Sequence, residues 1–344
     1  MTMSTHPTTT DQGLNRSLIA VLTIVLLGAS AALAAPPTPV TTCGQVLSLP
    51  GDYILTGDLT CAGTAVVING DNVRFNLGGF SLSGDSTGSG IEVSFVSRVR
   101  VRGGTVRRFG NGVRLDTSNS VRVSDMTLVA NGDGIQFQAS DNNRISDSMI
   151  TGNTIGVRLE GSDNNTVSDN TISNNVADPA VAVSGGVLVQ NGSTGNVISS
   201  NILASNGTLG VTLQSSDSNR VESNTVSNAG GSHRGISVIA SSLNTVRGNT
   251  VTGNSFGIEL GPGLGTATGN VIVGNTANTN SLGVFVLAGA AANTIRLNTA
   301  TGNSFVDLSD DNSACDANVW TTNTFVTDLV NGVSDGGPGV GCIQ

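Results

Sequence analysis

A glycine followed by an apolar-x-apolar triplet recurs along this chain at a nearly fixed interval, and that repeat constrains the fold more than any other feature. Gly90-Ile91-Glu92-Val93, Gly112-Val113-Arg114-Leu115, Gly134-Ile135-Gln136-Phe137 and Gly156-Val157-Arg158-Leu159 follow one another at 22-residue steps. Further copies begin at Gly186, Gly210, Gly235, Gly257 and Gly283, and Phe305-Val306-Asp307-Leu308 is a last, degenerate one. Inside a unit the order is constant. In residues 134–153, strand one holds Ile135 and Phe137, a polar turn follows, strand two centres on Ile145, strand three on Ile150, and Asn153 closes the unit. Each strand alternates apolar and polar residues, the period of a half-buried strand.

One such unit cannot bury its apolar face alone. Stacked units can, each strand pairing with its equivalent about 4.8 Å away. The general handedness of crossovers makes the coil right-handed. The expected fold is therefore all-β: a right-handed parallel β-helix, a single-stranded solenoid of about 10–11 coils.

Asparagine marks the corners. One column runs Asn143, Asn165, Asn196, Asn219, Asn244, Asn270, Asn293, Asn318; a second runs Asn170, Asn201, Asn224, Asn249, Asn275, Asn298, Asn323; a third runs Asn131, Asn153, Asn175, Asn206, Asn254, Asn280, Asn303. Asn tolerates left-handed backbone, and its amide can bond to the same amide one rung away. Most of this asparagine is expected to be structural.

Residues 1–34 read as a secretory leader, with Arg16, the apolar run Leu18 to Leu27 and the small-x-small site Ala32-Leu33-Ala34. The further division is an N-terminal extension and cap over 35–64, the β-helix over 65–314, and a last coil with C-terminal cap over 315–344. Beyond the leader no apolar run is long enough to span a membrane. The expected location is secreted, cell-surface or periplasmic. Four cysteines, Cys43, Cys61, Cys315 and Cys342, fit an oxidising compartment. Of three possible connectivities, Cys43–Cys61 with Cys315–Cys342 is favoured, because a solenoid keeps its ends apart. All 15 basic residues are Arg, against 24 acidic ones, for a net charge of −9, which argues against nucleic acid as a partner. A monomer is expected.

The segments SDNNRISDSMITGN (140–153) and GVRLEGSDNNTVSDNTISNN (156–175) resemble the parallel β-helix repeats of the pectate-lyase-like superfamily, over about residues 65–325. That group includes polysaccharide lyases, hydrolases, epimerases, phage tailspikes and surface proteins. The resemblance implies the fold. It also implies that strand two belongs to the sheet carrying a substrate groove, where Asp residues bind Ca²⁺ and an Arg acts as base. Asp125, Asp147 and Asp169 match that Asp and are candidate Ca²⁺ ligands. The His that often follows is replaced by Met126, Ser148 and Asn170, and no residue matches the catalytic Arg, which disfavours lyase activity.

Register turns chemistry into columns. Arg100, Arg122 and Arg144 occupy equivalent outward positions on strand two, with Arg102 beside them. Asp125, Asp147 and Asp169 stand three residues after the Arg position. The two columns either neutralise one another or form a face for an acidic polysaccharide, Arg clamping carboxylates. On strand one, Arg114, Asp116, Arg158 and Glu160 point outward with Gln136 and Gln138, as an exposed charged sheet or a sugar-binding face. Asp116 and Glu160 are expected two rungs apart, about 9–10 Å, near the upper end of the carboxylate separation of inverting glycosidases. Beyond the leader there is one His, His233, one Tyr, Tyr53, and one Trp, Trp320. Acid–base and soft-metal chemistry therefore have few candidates. The expected function is a non-catalytic carbohydrate-binding or structural surface module. The alternatives are a Ca²⁺-assisted uronate lyase and an adhesin.

Overall fold

The computed structural model describes residues 35–176, 184–227 and 233–344. The leader expected over 1–34 lies outside them, as do residues 177–183 and 228–232. Residues 37–344 form one unit. Among the described residues parallel strands stack into two sheets, one of thirteen strands and one of twenty-one. The chain crosses the first once per turn, in strands such as Asn111–Asp116 and Asp133–Gln138, and the second as strands two and three. Val113 lies opposite Ile91 of the preceding turn and Ile135 of the next, and Arg122 opposite Arg100 and Arg144.

The stack reaches about twelve turns. The surplus over the repeat count comes from the ends. Thr38–Val40 and Gln45–Leu47 already pair into the two sheets, and Asp328–Val330 adds a rung beyond the last degenerate repeat. The core is the inward half of each alternation, with Val113, Leu115, Val123, Leu128, Ile135 and Phe137 all buried. Among the described residues one 3-10 turn, Ser313–Cys315, interrupts the β structure.

The glycine that opens each repeat is required by close approach. A Cβ on Gly134 would sit 2.6 Å from the Gly156 carbonyl oxygen and 2.6 Å from Ile150 Cγ2. Gly235 meets the same limits against Gly257 and Val251. Strand three crosses behind strand one at this point, leaving no room for a side chain.

The asparagine columns are buried ladders. Asn249 is typical: its Nδ2 donates to Val221 O at 2.9 Å, to Arg247 O at 3.1 Å and to Asn275 Oδ1 at 3.0 Å. Its Oδ1 accepts from Asn224 N and Asn224 Nδ2 at 2.9 and 3.0 Å. Each amide thus satisfies backbone groups that the corners leave unpaired. Left-handed backbone falls in other columns. One is Asn72, Arg98, Ser120, Asn142 and Asn164, between strands one and two; another is Asp125, Asp147 and Asp169, between strands two and three.

Cys43–Cys61 and Cys315–Cys342 are disulfide-bonded, as the solenoid geometry led one to expect. At the C-terminal end Asp310, fully buried, accepts from Trp320 Nε1 at 2.8 Å, Asn318 Nδ2 at 3.1 Å and Asn312 N at 3.0 Å. The only tryptophan of the chain is thereby fixed in the last turns.

Candidate functional site: an arginine-lined groove

The outward position that opens strand two carries arginine on four successive rungs: Arg74, Arg100, Arg122 and Arg144, followed by Thr166. The adjoining left-handed corner column contributes Asn72, Arg98, Ser120, Asn142 and Asn164. Together these two columns line a groove of about 540 Å³ in which no acidic side chain takes part. Four rung steps give it a length of about 19 Å along the solenoid.

Its arginines are not equivalent. Arg74 is clamped by both oxygens of Asp52, one rung below. The hydrogen bond from Arg74 holds the Asp52 carboxyl below its usual range, and Asp52 in turn raises the Arg74 guanidinium. Arg144 reaches Asp169 at 3.4 Å. Arg98 gives its Nε to Asn72 Oδ1 at 2.8 Å and stands 4.0 Å from Asp71. Arg100 and Arg122 have no carboxylate within ion-pair distance among the described residues. Mutual neutralisation of the Arg and Asp columns is thus confined to Arg144–Asp169. The centre of the groove keeps its charge.

Of the residues singled out in the sequence, Arg100, Arg122 and Arg144 come together here. Arg102 does not: it faces outward beside Ser124 and Asn76, outside the groove lining, and its charge acts on Asp52. Arg74, Arg98, Asn72, Asn142 and Asn164 were missed. The column could have been extended downward, since Arg74 follows Asn72 by two residues as Arg122 follows Ser120. The obstacle was a 26-residue rung where 22 was the established step.

Asp125, Asp147 and Asp169 occupy a left-handed corner, with φ of 55°, 55° and 60°. Ser200, Ser223 and Gly248 follow in the same conformation, which short polar residues and glycine tolerate best. Asp125 accepts from Ser124 Oγ and Asp169 from Arg144. Among the described residues no three acidic, His or Cys side chains gather into one cluster. Met126, Ser148 and Asn170, which stand where related sequences often carry His, point into the core. Ser148 and Asn170 belong to the buried ladder, Ser148 N donating to Asn170 Oδ1.

The strand-one cluster is held in internal bonds. Arg114 pairs with Asp116 at 3.2 Å, and Arg158 makes a bidentate pair with Asp133 at 2.7 and 3.0 Å. Burial lowers the Arg158 guanidinium, but Asp133 and Glu160 outweigh it and raise the group above its ordinary value. Glu160 accepts from Asn191 Nδ2 at 2.7 Å. Asp116 and Glu160 do stand two rungs apart, with Gln138 between them. Farther along the same face, Arg234 pairs with the buried Glu259 at 2.8 Å and lies over Phe256, which stacks on Phe285. Among the described residues no helix is long and apolar enough to cross a membrane.

The family model described as "Right handed beta helix region" matches residues 60–194, 111–261 and 182–328, most of the chain. Solved structures share this fold at low identity. The Dettilon tailspike protein is 17% identical with a TM-score of 0.51, covering 82% of this chain; the chain spans 62% of that protein. DFA-IIIase from Arthrobacter chlorophenolicus A6 is 13% identical with a TM-score of 0.52, over 83% of this chain and 85% of that one. A mutant of the periplasmic alginate epimerase AlgG is 14% identical with a TM-score of 0.51, over 85% and 77%. A sequence search of curated proteins gives no match.

Proposed function

The chain belongs to the right-handed β-helix family, and from that premise we propose that it is an exported, non-catalytic module that binds an acidic polysaccharide along its arginine groove. The observation that carries the reading is the charge left uncompensated at Arg100 and Arg122, in a groove with no acidic lining. Like charges stacked one rung apart repel. A ligand with an anionic group on successive sugars removes that repulsion and gives each guanidinium a planar carboxylate to grip. The groove is open to solvent, so affinity must come from several such contacts and weaken with salt. The flanking amides of Asn142 and Asn164 supply hydrogen bonds for sugar hydroxyls. An alginate epimerase among the structural neighbours agrees with a uronate, but the choice of ligand rests on the groove. Two disulfides support an oxidising compartment outside the cytosol.

Native electrophoresis in gels cast with polygalacturonate, alginate or a neutral glucan tests this. The acidic polymers retard the protein, the neutral one does not, and the double variant Arg100→Ala, Arg122→Ala runs unretarded. Indifference to every acidic polymer refutes the binding reading. Release of unsaturated uronides that Asp147→Ala abolishes refutes the non-catalytic one.

A further inference from the structure

In the rung Ser89–Arg107 the corner between strands one and two departs from every neighbouring corner. Two of its positions take left-handed backbone, Phe95 at φ 57° and Arg98 at φ 59°. In the following rungs the same two positions hold Thr117 and Ser120, then Ala139 and Asn142, then Gly161 and Asn164. Small residues, Asn and Gly fit such backbone; a phenylalanine does so against steric resistance. Leu243 is another large side chain in the second of these columns, lying against Gly269 of the next rung. At Phe95 and Arg98, large side chains fill both positions of a single corner.

The fold gains little from either. Phe95 is 77% exposed and stands beside the groove, three residues before Arg98 and outside the lining itself; among the described residues it takes part in no ring stack or cation–π pair. Arg98 is 64% exposed, lines the groove, and is oriented through its Nε by Asn72, with its nearest carboxylate 4.0 Å from its outer nitrogen. Strain kept without a packing return points to function. We propose that Phe95 and Arg98 form the specificity corner of the groove: the ring stacks on the C–H face of a pyranose while the guanidinium takes the carboxylate of the same or the adjoining sugar. This rests on the acidic-polysaccharide reading above and narrows it to polymers of pyranose uronates. An exposed aromatic face attracts the edge of a C–H-bearing ring, and it gives a charge-only groove a means to tell a uronate from a simple polyanion.

The test grafts the neighbouring corners onto this one. Phe95→Gly and Arg98→Asn copy Gly161 and Asn142, and Phe95→Tyr keeps the ring. Calorimetric titration uses an oligogalacturonate hexamer, with inorganic polyphosphate as a polyanion lacking sugar rings. Phe95→Gly is expected to weaken hexamer binding about tenfold and leave polyphosphate binding unchanged, while melting rises by about 1–3 °C as the strain is relieved. Phe95→Tyr binds as the wild type does. Arg98→Asn weakens both ligands. If the wild type binds the hexamer and Arg122→Ala abolishes it, but Phe95→Gly binds equally well, the corner proposal falls and the groove reading stands. If the wild type binds no hexamer, both fall. A drop in melting temperature on Phe95→Gly, or a dimer that this variant dissociates in sedimentation velocity, assigns the ring to packing or self-contact and overturns the proposal.

Discussion

Replacing Asn249 by alanine removes one step from the middle of a buried ladder. Five hydrogen bonds go: three donated by Nδ2, to Val221 O, Arg247 O and Asn275 Oδ1, and two accepted by Oδ1. The Asn275 oxygen keeps the Asn249 backbone N–H as a donor. The Asn224 backbone N–H and one hydrogen of its side-chain amide lose their acceptor in a buried place. Each orphaned donor costs about 1–3 kcal/mol. With the vacated space added, the expected loss is about 3–5 kcal/mol. At about 2 °C per kcal/mol for a chain of this size, melting falls by about 6–10 °C. Differential scanning calorimetry at pH 7 reads this directly. Asn164→Gly is the control: Asn164 is exposed, left-handed and outside the ladders, so its melting stays within about 1 °C of the wild type. A fall of less than about 2 °C in Asn249→Ala would mean that the ladder amides fill space and do not satisfy the corners.

Three further outcomes follow from the same geometry. Gly134→Ala, forced against Gly156 O and Ile150, costs about 1–3 kcal/mol in chemical denaturation, whereas ordinary propensity would favour alanine. Removing the Cys315–Cys342 bridge, which closes a 27-residue segment, loosens the C-terminal cap by about 3–4 kcal/mol, seen as hydrogen exchange confined to the last turns. Asp311 has a raised pKa, from burial first and from the Asp310 charge second. A carboxyl raised in the folded state contributes stability that is present at low pH and lost as pH rises through the folded value. Asp311→Asn should therefore melt higher than the wild type at pH 7, and the gap should close as pH falls below the ordinary carboxylate value of 3.8.

The sequence carried the solenoid because its cause is local and repeated. The steric limit at Gly134 recurs at Gly156 and Gly235, and the amide bond of Asn249 recurs along its whole column. Periodicity therefore displays both. It also carried the core of the groove, since Arg100, Arg122 and Arg144 keep the 22-residue step. What it did not carry was geometry that depends on backbone sign and side-chain reach. The Asp125, Asp147 and Asp169 column reads in the sequence as a ligand set, and its left-handed backbone is not visible there. Met126 looked like a substituted catalytic position and proves to be core. Arg158 and Asp133 lie 25 residues apart, and nothing in their spacing announces a bidentate pair. Phe95 and Arg98 were invisible for the opposite reason: their significance lies in the contrast with Gly161 and Asn164, which only the corner dihedrals reveal.

Whether the unpaired arginines of the groove hold an acidic polysaccharide is decided by titrating an oligogalacturonate hexamer into the wild type, into the double variant Arg100→Gln, Arg122→Gln, and into Arg158→Gln, at low and at physiological salt. The expected result is binding by the wild type that weakens with salt, its loss in the groove variant with melting unchanged, and its retention in Arg158→Gln, whose guanidinium is already held by Asp133. Equal binding by all three proteins, or binding lost only in Arg158→Gln, would contradict the assignment of the groove.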